Sequence, residues 1–205
     1  VVVPMGVKPE DYETALRTIF KFTNIRGALI TMPHKVTTTG LVDEVSPTAQ
    51  IAGACNAVLL RPDGTLLGDM FDGAGFVRGV QRKGVKIDGA RVLVVGSGGV
   101  GCAIAASFAA AQIGEIGLFD VNTVASEGLA GRLRKHYPAL KVTTGSKDPA
   151  GYDVVVNATP MGMNEGDELP MDVSRIAPTT FVGEVVMKKE VTAFLAAARA
   201  RGCPI

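Results

Sequence analysis

The stretch Val92-Leu93-Val94-Val95-Gly96-Ser97-Gly98-Gly99-Val100-Gly101, running on into the alanine-rich segment Cys102 to Gln112, decides the fold. Four consecutive apolar residues read as a strand buried on both faces, and the small residues after the turn read as a helix. Gly96 permits a tight turn, Gly98 lets backbone amides approach a pyrophosphate, and Gly101 lets the helix lie close to the strand. The helix start offers N–H groups and a positive dipole end to phosphates. A glycine turn alone is weak evidence, since such loops also serve as ordinary turns. Between an apolar strand and a helix, Gly96, Ser97, Gly98, Gly99, Val100 and Gly101 favour dinucleotide binding.

The flanking sequence supports this. Strand 91–95 precedes helix 99–111, strand 115–119 precedes helix 124–135, and Lys141–Thr144 is a third strand. Asp153–Asn157 and Thr180–Val186 read as further buried strands, and Glu190–Arg201 as a helix. Strands separated by helices imply an α/β fold with a doubly wound parallel sheet, a Rossmann-type unit whose ligand sits at the strands' C-terminal edge. Asp120 ends the second strand of this unit, where an acid binds ribose hydroxyls. The following Val121-Asn122-Thr123-Val124 supplies no arginine for a 2′-phosphate, and the carboxylate would repel one, so the expected cofactor is NAD rather than NADP. Asp120 as the cap of helix 124–135 is the alternative. Asn157-Ala158-Thr159-Pro160-Met161-Gly162-Met163 reads as a loop at the ligand edge, with Met163 suited to soft contact with a nicotinamide ring. Taken alone, that loop is a turn containing Pro and Gly.

Upstream, Val1–Pro4 reads as a strand and Lys8-Pro9-Glu10-Asp11 as a helix start, with Tyr12, Ala15, Leu16, Ile19 and Phe20 as its apolar stripe. Ala28–Thr31 is a short strand ending at Met32-Pro33-His34-Lys35, and Val42–Ile51 is helical in part. Asn56–Leu60 and Thr65–Gly68 form a hairpin across Arg61-Pro62-Asp63-Gly64. Gly73–Arg82 is helical and Gly84–Gly89 resembles a linker. The expected domains are therefore 1–83 and 84–205. Both ends look cut, since Val1-Val2-Val3 opens inside a strand and Gly202-Cys203-Pro204-Ile205 stops where another should begin.

The chain has 205 residues and a net charge of +1 with its charges scattered, which excludes a nucleic-acid-binding stripe. The apolar runs are too short to span a bilayer and no signal peptide is visible. Cys55, Cys102 and Cys203 are odd in number and widely spaced, which fits a reducing cytoplasm rather than a disulfide framework. The two histidines, His34 and His136, lack metal-ligand spacing, so no metal is expected.

Lys35 follows a strand and a proline, and Asp72 precedes the helix that leads to the nucleotide domain. A lysine and an aspartate facing a cleft can share protons with a hydroxyl undergoing oxidation. By composition alone, most such lysines are solvated and most such aspartates are helix caps.

The chain resembles the shikimate/quinate dehydrogenase family along nearly its whole length. The resemblance rests on Thr31-Met32-Pro33-His34-Lys35, Gly53-Ala54-Cys55-Asn56-Ala57-Val58, Gly68 to Phe76, the glycine turn, and Asn157 to Met163. It implies an N-terminal α/β substrate domain and an NAD(P) domain flanking a cleft. It further implies hydride transfer between nicotinamide and the alcohol or ketone of a cyclic polyhydroxy carboxylic acid. By position, Lys35 resembles the proton-transfer lysine and Asp72 its hydrogen-bonded partner, while Asn56 and Thr31 resemble residues that contact substrate hydroxyls.

The chain also departs from the family. Leu29 replaces the asparagine of Asn-x-Thr-x-Pro-x-Lys, Met70-Phe71-Asp72 replaces Asn-Thr-Asp, and Glu184-Val185-Val186-Met187 replaces Asp-x-x-Tyr. The family's carboxylate-binding serine pair would precede residue 1 and its late glutamine would follow residue 205. These changes point to a divergent branch whose preferred substrate need not be shikimate. Two other readings stay open. A methylene-tetrahydrofolate dehydrogenase-like enzyme fits the glycine turn but not the Asn56 and Asp72 segments. A non-catalytic dinucleotide-binding sensor fits Leu29, Met70 and Phe71 but not the retention of Lys35 and Asp72. The protein is expected to be a monomer or homodimer.

Overall fold

The computed structural model describes residues 2–205. Two compact units form, one reaching to Phe71 and the other spanning Asp72–Ile205.

In the first unit a 3-10 turn, Pro9–Asp11, leads into α1 (Tyr12–Ile19). Pro9 has the fixed φ of a first turn, and Glu10 and Asp11 suit its positive end. Tyr12 and Leu16, one helical turn apart, are the residues α1 buries. There follow β1 (Gly27–Leu29), α2 (Lys35–Thr38), β2 (Glu44–Val45), α3 (Pro47–Ala52), β3 (Ala57–Leu60) and β4 (Leu66–Asp69). The sheet order is β1-β3-β4-β2, with β3 antiparallel to both neighbours and β2 parallel to β4. The expected hairpin is β3–β4, closed by the Arg61 N–H donating to the Thr65 carbonyl at 2.9 Å.

Two expectations are corrected here. Of the strand expected over 1–4, Val1 lies outside the described residues, and residues 2–4 belong to no strand, with Val2 82% exposed. Without a partner ladder, a β-branched run has nothing to bind its N–H and C=O groups. The segment 42–51 divides into β2 and α3 because Ser46 caps a helix, accepting the Ala49 N–H at 3.1 Å, with Pro47 as its first residue.

The second unit contains α4 (Asp72–Arg82), β5 (Arg91–Val95), α5 (Gly99–Ala110), β6 (Glu115–Phe119), α6 (Thr123–His136), β7 (Lys141–Thr144), β8 (Val154–Asn157), β9 (Phe181–Glu184) and α7 (Ala193–Ala200). All five strands run parallel in the order β7-β6-β5-β8-β9. The chain leaves β5 for β6 on one side and later returns to β8 on the other, which opens a crevice at the C-terminal end of β5. Helix α5 is buried continuously from Gly101 to Ala109 because it is covered by both the sheet and α4. On the other face, Met171, Ile176, Phe194 and Ala198 cover Leu93, Val95, Val155 and Val182. No helix among the described residues is long and apolar enough to cross a membrane.

The units divide at 71/72 rather than at the expected 83/84. Helix α4 buries Gly73, Val77 and Val80, and a methyl added at Gly73 would run into the Ala103 carbonyl and the Ser107 hydroxyl of α5. That face ties α4 to the second unit.

Candidate active site

The crevice at β5 is built by the glycine turn. Gly96 has φ +105°, a conformation that L side chains rarely adopt, and its N–H donates to the Phe119 carbonyl at 2.7 Å. A methyl on Gly101 would strike the Gly96 carbonyl, so only glycine lets α5 start this close to the turn. Gly98 and Gly99 have the opposite surroundings, with open space where a side chain would stand. Gly98, Gly99 and Val100 are exposed, and no side chain caps α5 among the described residues. Ser97 is buried, and its hydroxyl has no hydrogen-bond partner among the described residues. Open glycines at an uncapped start of a twelve-residue helix fit a pyrophosphate.

Asp120 joins this turn directly. Its Oδ2 accepts the Ser97 N–H at 2.6 Å and its Oδ1 accepts the Asn122 N–H at 2.8 Å. A carboxylate has about four acceptor positions, so two such bonds leave room for ribose hydroxyls. The cap of α6 is Asn122, which accepts the Val124 and Ala125 N–H groups, so the capping alternative for Asp120 is corrected. The next residue, Val121, is 93% exposed.

Asn157, last residue of β8, is fully buried and its amide organises the loop that follows. Its Nδ2 donates to the Met161 carbonyl at 3.0 Å and to Glu184 Oε2 at 3.2 Å, while its Oδ1 accepts from Thr159 N and Oγ1 at 3.1 and 2.6 Å. Ala158 continues the sheet, its N–H donating to the Val95 carbonyl at 2.7 Å. Thr159 accepts the Met161 N–H, and Met163 is exposed near the loop's end. The part played by Glu184 carries no sequence signal, because its partner lies 27 positions away.

In the first unit, backbone bonds bring three expected residues together. The Ile30 N–H donates to the Asn56 carbonyl at 2.8 Å, and the Cys55 N–H donates to the Lys35 carbonyl at 2.9 Å. Thr31, two residues past β1, and Lys35, the first residue of α2, thus lie beside Asn56, which immediately precedes β3. Asn56 Oδ1 accepts the Phe71 N–H at 2.9 Å, which fixes the chain just before Asp72. Asp72 itself opens α4 in the second unit. The departures differ in setting. Met70 is buried, whereas Leu29 is 77% exposed and Phe71 is also exposed. Leu29 ends β1, and Thr31 follows two residues later. Cys55 is fully buried, and burial together with the nearby Asp69 charge pushes its thiol up to about 11. It is therefore a protonated, unreactive group beside the lysine.

Known proteins share this architecture. Residues 1–58 match the family model of the shikimate dehydrogenase substrate binding domain, and residues 77–133 match the ThiF family model. A shikimate dehydrogenase (NADP(+)) of Rubrobacter xylanophilus is 36% identical over 206 residues, covering 98% of this chain and 72% of that protein. The crystal structure of shikimate 5-dehydrogenase from Listeria monocytogenes in complex with shikimate and NAD matches with a TM-score of 0.88 at 27% identity, over 98% of this chain and 73% of that one. Quinate dehydrogenase from Corynebacterium glutamicum in complex with NAD matches with a TM-score of 0.78 at 34% identity, over 94% of this chain and 70% of that one.

Proposed function

The chain belongs to the shikimate dehydrogenase family of oxidoreductases, and from that premise we propose that it transfers hydride between NAD and a ring alcohol or ketone. The substrate would be a small cyclic polyhydroxylated carboxylic acid of the shikimate or quinate kind. The observation that carries this reading is the meeting of Thr31, Lys35 and Asn56 at one end of the first sheet, inside the segment that matches the substrate-binding model. The first unit would bind substrate and the second the dinucleotide.

When bound, the nicotinamide supplies the hydride acceptor. The amides of Gly98, Gly99 and Val100 would hold the pyrophosphate at the start of α5, with Gly96, Ser97 and Gly101 shaping the turn. Asp120 would accept the adenosine ribose hydroxyls. Ala158, Thr159 and Met163 would flank the nicotinamide, on a loop whose shape Asn157 sets. Thr31 and Asn56 would hold substrate hydroxyls. Lys35 would take the proton of the reacting hydroxyl during oxidation and return it during reduction, and Asp72 would orient that oxygen as an acceptor.

The preference for NAD rests on Asp120 and on the loop after it. A 2′-phosphate beside this carboxylate meets a like charge, costing about 1–4 kcal/mol at 4 Å between watery and protein-surface screening. Val121-Asn122-Thr123-Val124 offers no cation to offset that. One observation favours NADP instead: Lys147 Nζ lies 5.9 Å from the centre of the Phe119 ring, next to Asp120 in the chain. Three free cysteines support a cytoplasmic location. Sedimentation would distinguish a monomer from a homodimer, the two expected states.

The decisive experiment follows reduced nicotinamide by absorbance with shikimate, quinate and related acids, each with NAD and with NADP. Turnover of a cyclic hydroxy acid with NAD favoured over NADP is expected. Lys35→Ala should lower kcat by about 100-fold or more with NAD affinity retained, and an unchanged kcat would remove Lys35 from the mechanism.

A further inference from the structure

Helix α2 is a single turn of four residues, too short to hold its own shape in water, yet it opens with Lys35. Its rigidity comes from a ring of contacts around it. The His34 ring stacks on the Tyr12 ring with centroids 4.0 Å apart and planes within 9°. His34 Nε2 lies 3.2 Å from the Val7 carbonyl oxygen. A carbonyl only accepts, so this nitrogen carries a hydrogen and donates. Thr38 Oγ1 donates its proton to the His34 carbonyl at 2.9 Å, so the Tyr12 hydroxyl, 2.7 Å from Thr38 Oγ1, donates to that oxygen.

The circuit therefore runs from Val7 through the His34 ring to Tyr12, on to Thr38, and back to the backbone of His34. It pins the residue before Lys35 and the residue three after it. The bond from the Cys55 N–H pins the Lys35 carbonyl as well. We propose that Tyr12 and His34 are positioning residues for Lys35: their stack and its two hydrogen bonds fix the turn that aims the ammonium. This rests on the reading of Lys35 as the proton-transfer group. Tyr12 is buried, and burial raises its pKa despite the Thr38 bond, so the phenol remains a donor across the neutral range.

The test uses the full chain with Tyr12→Phe, His34→Phe and His34→Ala, each alone and combined with Lys35→Ala. Tyr12→Phe keeps the stack and deletes the donor, and His34→Phe keeps the stack and deletes the Nε2 bond. Each is expected to lower kcat roughly tenfold and to displace the pH profile of kcat, with substrate KM, NADH affinity and the circular dichroism spectrum unchanged. His34→Ala should lose more, and His34→Phe should recover part of that loss. In the Lys35→Ala background the same changes should cost nothing further. The proposal is overturned if Tyr12→Phe and His34→Phe leave kcat and its pH profile untouched, or if they cost the same with and without Lys35. Should Lys35→Ala residual turnover be too slow to measure, the pH profiles of the single variants decide. A Lys35→Ala protein with undiminished kcat would instead overturn the underlying reading of Lys35.

Discussion

Asp120 Oδ2 and the Ser97 backbone N–H lie 2.6 Å apart, so the acid at the end of β6 and the glycine turn after β5 form one mechanical piece. A charge-assisted bond of this length is among the stronger kinds. It fixes the distance between the glycine turn proposed to hold a pyrophosphate and the carboxylate proposed to hold the ribose.

Asp120→Asn is accordingly expected to weaken NAD binding while improving NADP relative to NAD by about tenfold, because the repulsion of a 2′-phosphate is relieved. Steady-state kcat/KM for both dinucleotides measures this. An unchanged NADP to NAD ratio would show that the carboxylate does not face the 2′ position.

Gly101→Ala and Gly98→Ala should fail in different ways. A methyl at 101 meets the Gly96 carbonyl, so the variant should lose about 1–3 kcal/mol of stability along with dinucleotide binding. At 98 the methyl stands in open space, so Tm should hold while NADH affinity falls. Thermal melts paired with NADH fluorescence titrations separate the two.

Leu29→Asn places an amide at the end of β1, two residues before Thr31. Because the leucine is 77% exposed, its loss should cost little stability. kcat/KM for shikimate should rise by about tenfold or more as a hydrogen-bond partner is supplied. A variant that treats every cyclic hydroxy acid as the native chain does would show that residue 29 does not meet the substrate.

Stability should decline in alkali partly through Cys55. Its thiol titrates at about 11 in the folded chain against an ordinary 9.0. Below pH 9 both states hold the proton and this contribution is fully present. As pH rises from 9 toward 11 the unfolded thiol ionises first, and stability on the order of 2 kcal/mol drains away. Cys55→Ala should show a shallower fall in Tm across that window, whatever its Tm at neutral pH.

The second unit was largely legible because its signals are local. Val92–Val95 and Asp153–Asn157 are apolar runs that suit central parallel strands, and the glycine turn marks the strand-to-helix change. The small residues of Cys102–Gln112 mark a helix, whereas its burial under α4 as well as against the sheet is seen only in the structure. Contacts between distant residues were not legible. Nothing in the spacing shows that Tyr12 lies under His34, or that Glu184 holds Asn157. The choice between Asp120 and Asn122 as the cap of α6 depends on backbone geometry two residues apart, which residue type does not settle. Leu29 and Met70 look alike as apolar replacements, yet one is exposed and the other buried, because burial depends on which neighbours the fold packs over each position.

The absent side chain of Gly73 links two helix starts that the sequence keeps far apart. Where α4 crosses α5, only a hydrogen fits against the Ala103 carbonyl. The helix beginning at Asp72 and the helix beginning at the glycine turn are thereby geared together. A single methyl at that crossing, touching no ligand, would throw both starting points out of alignment at once.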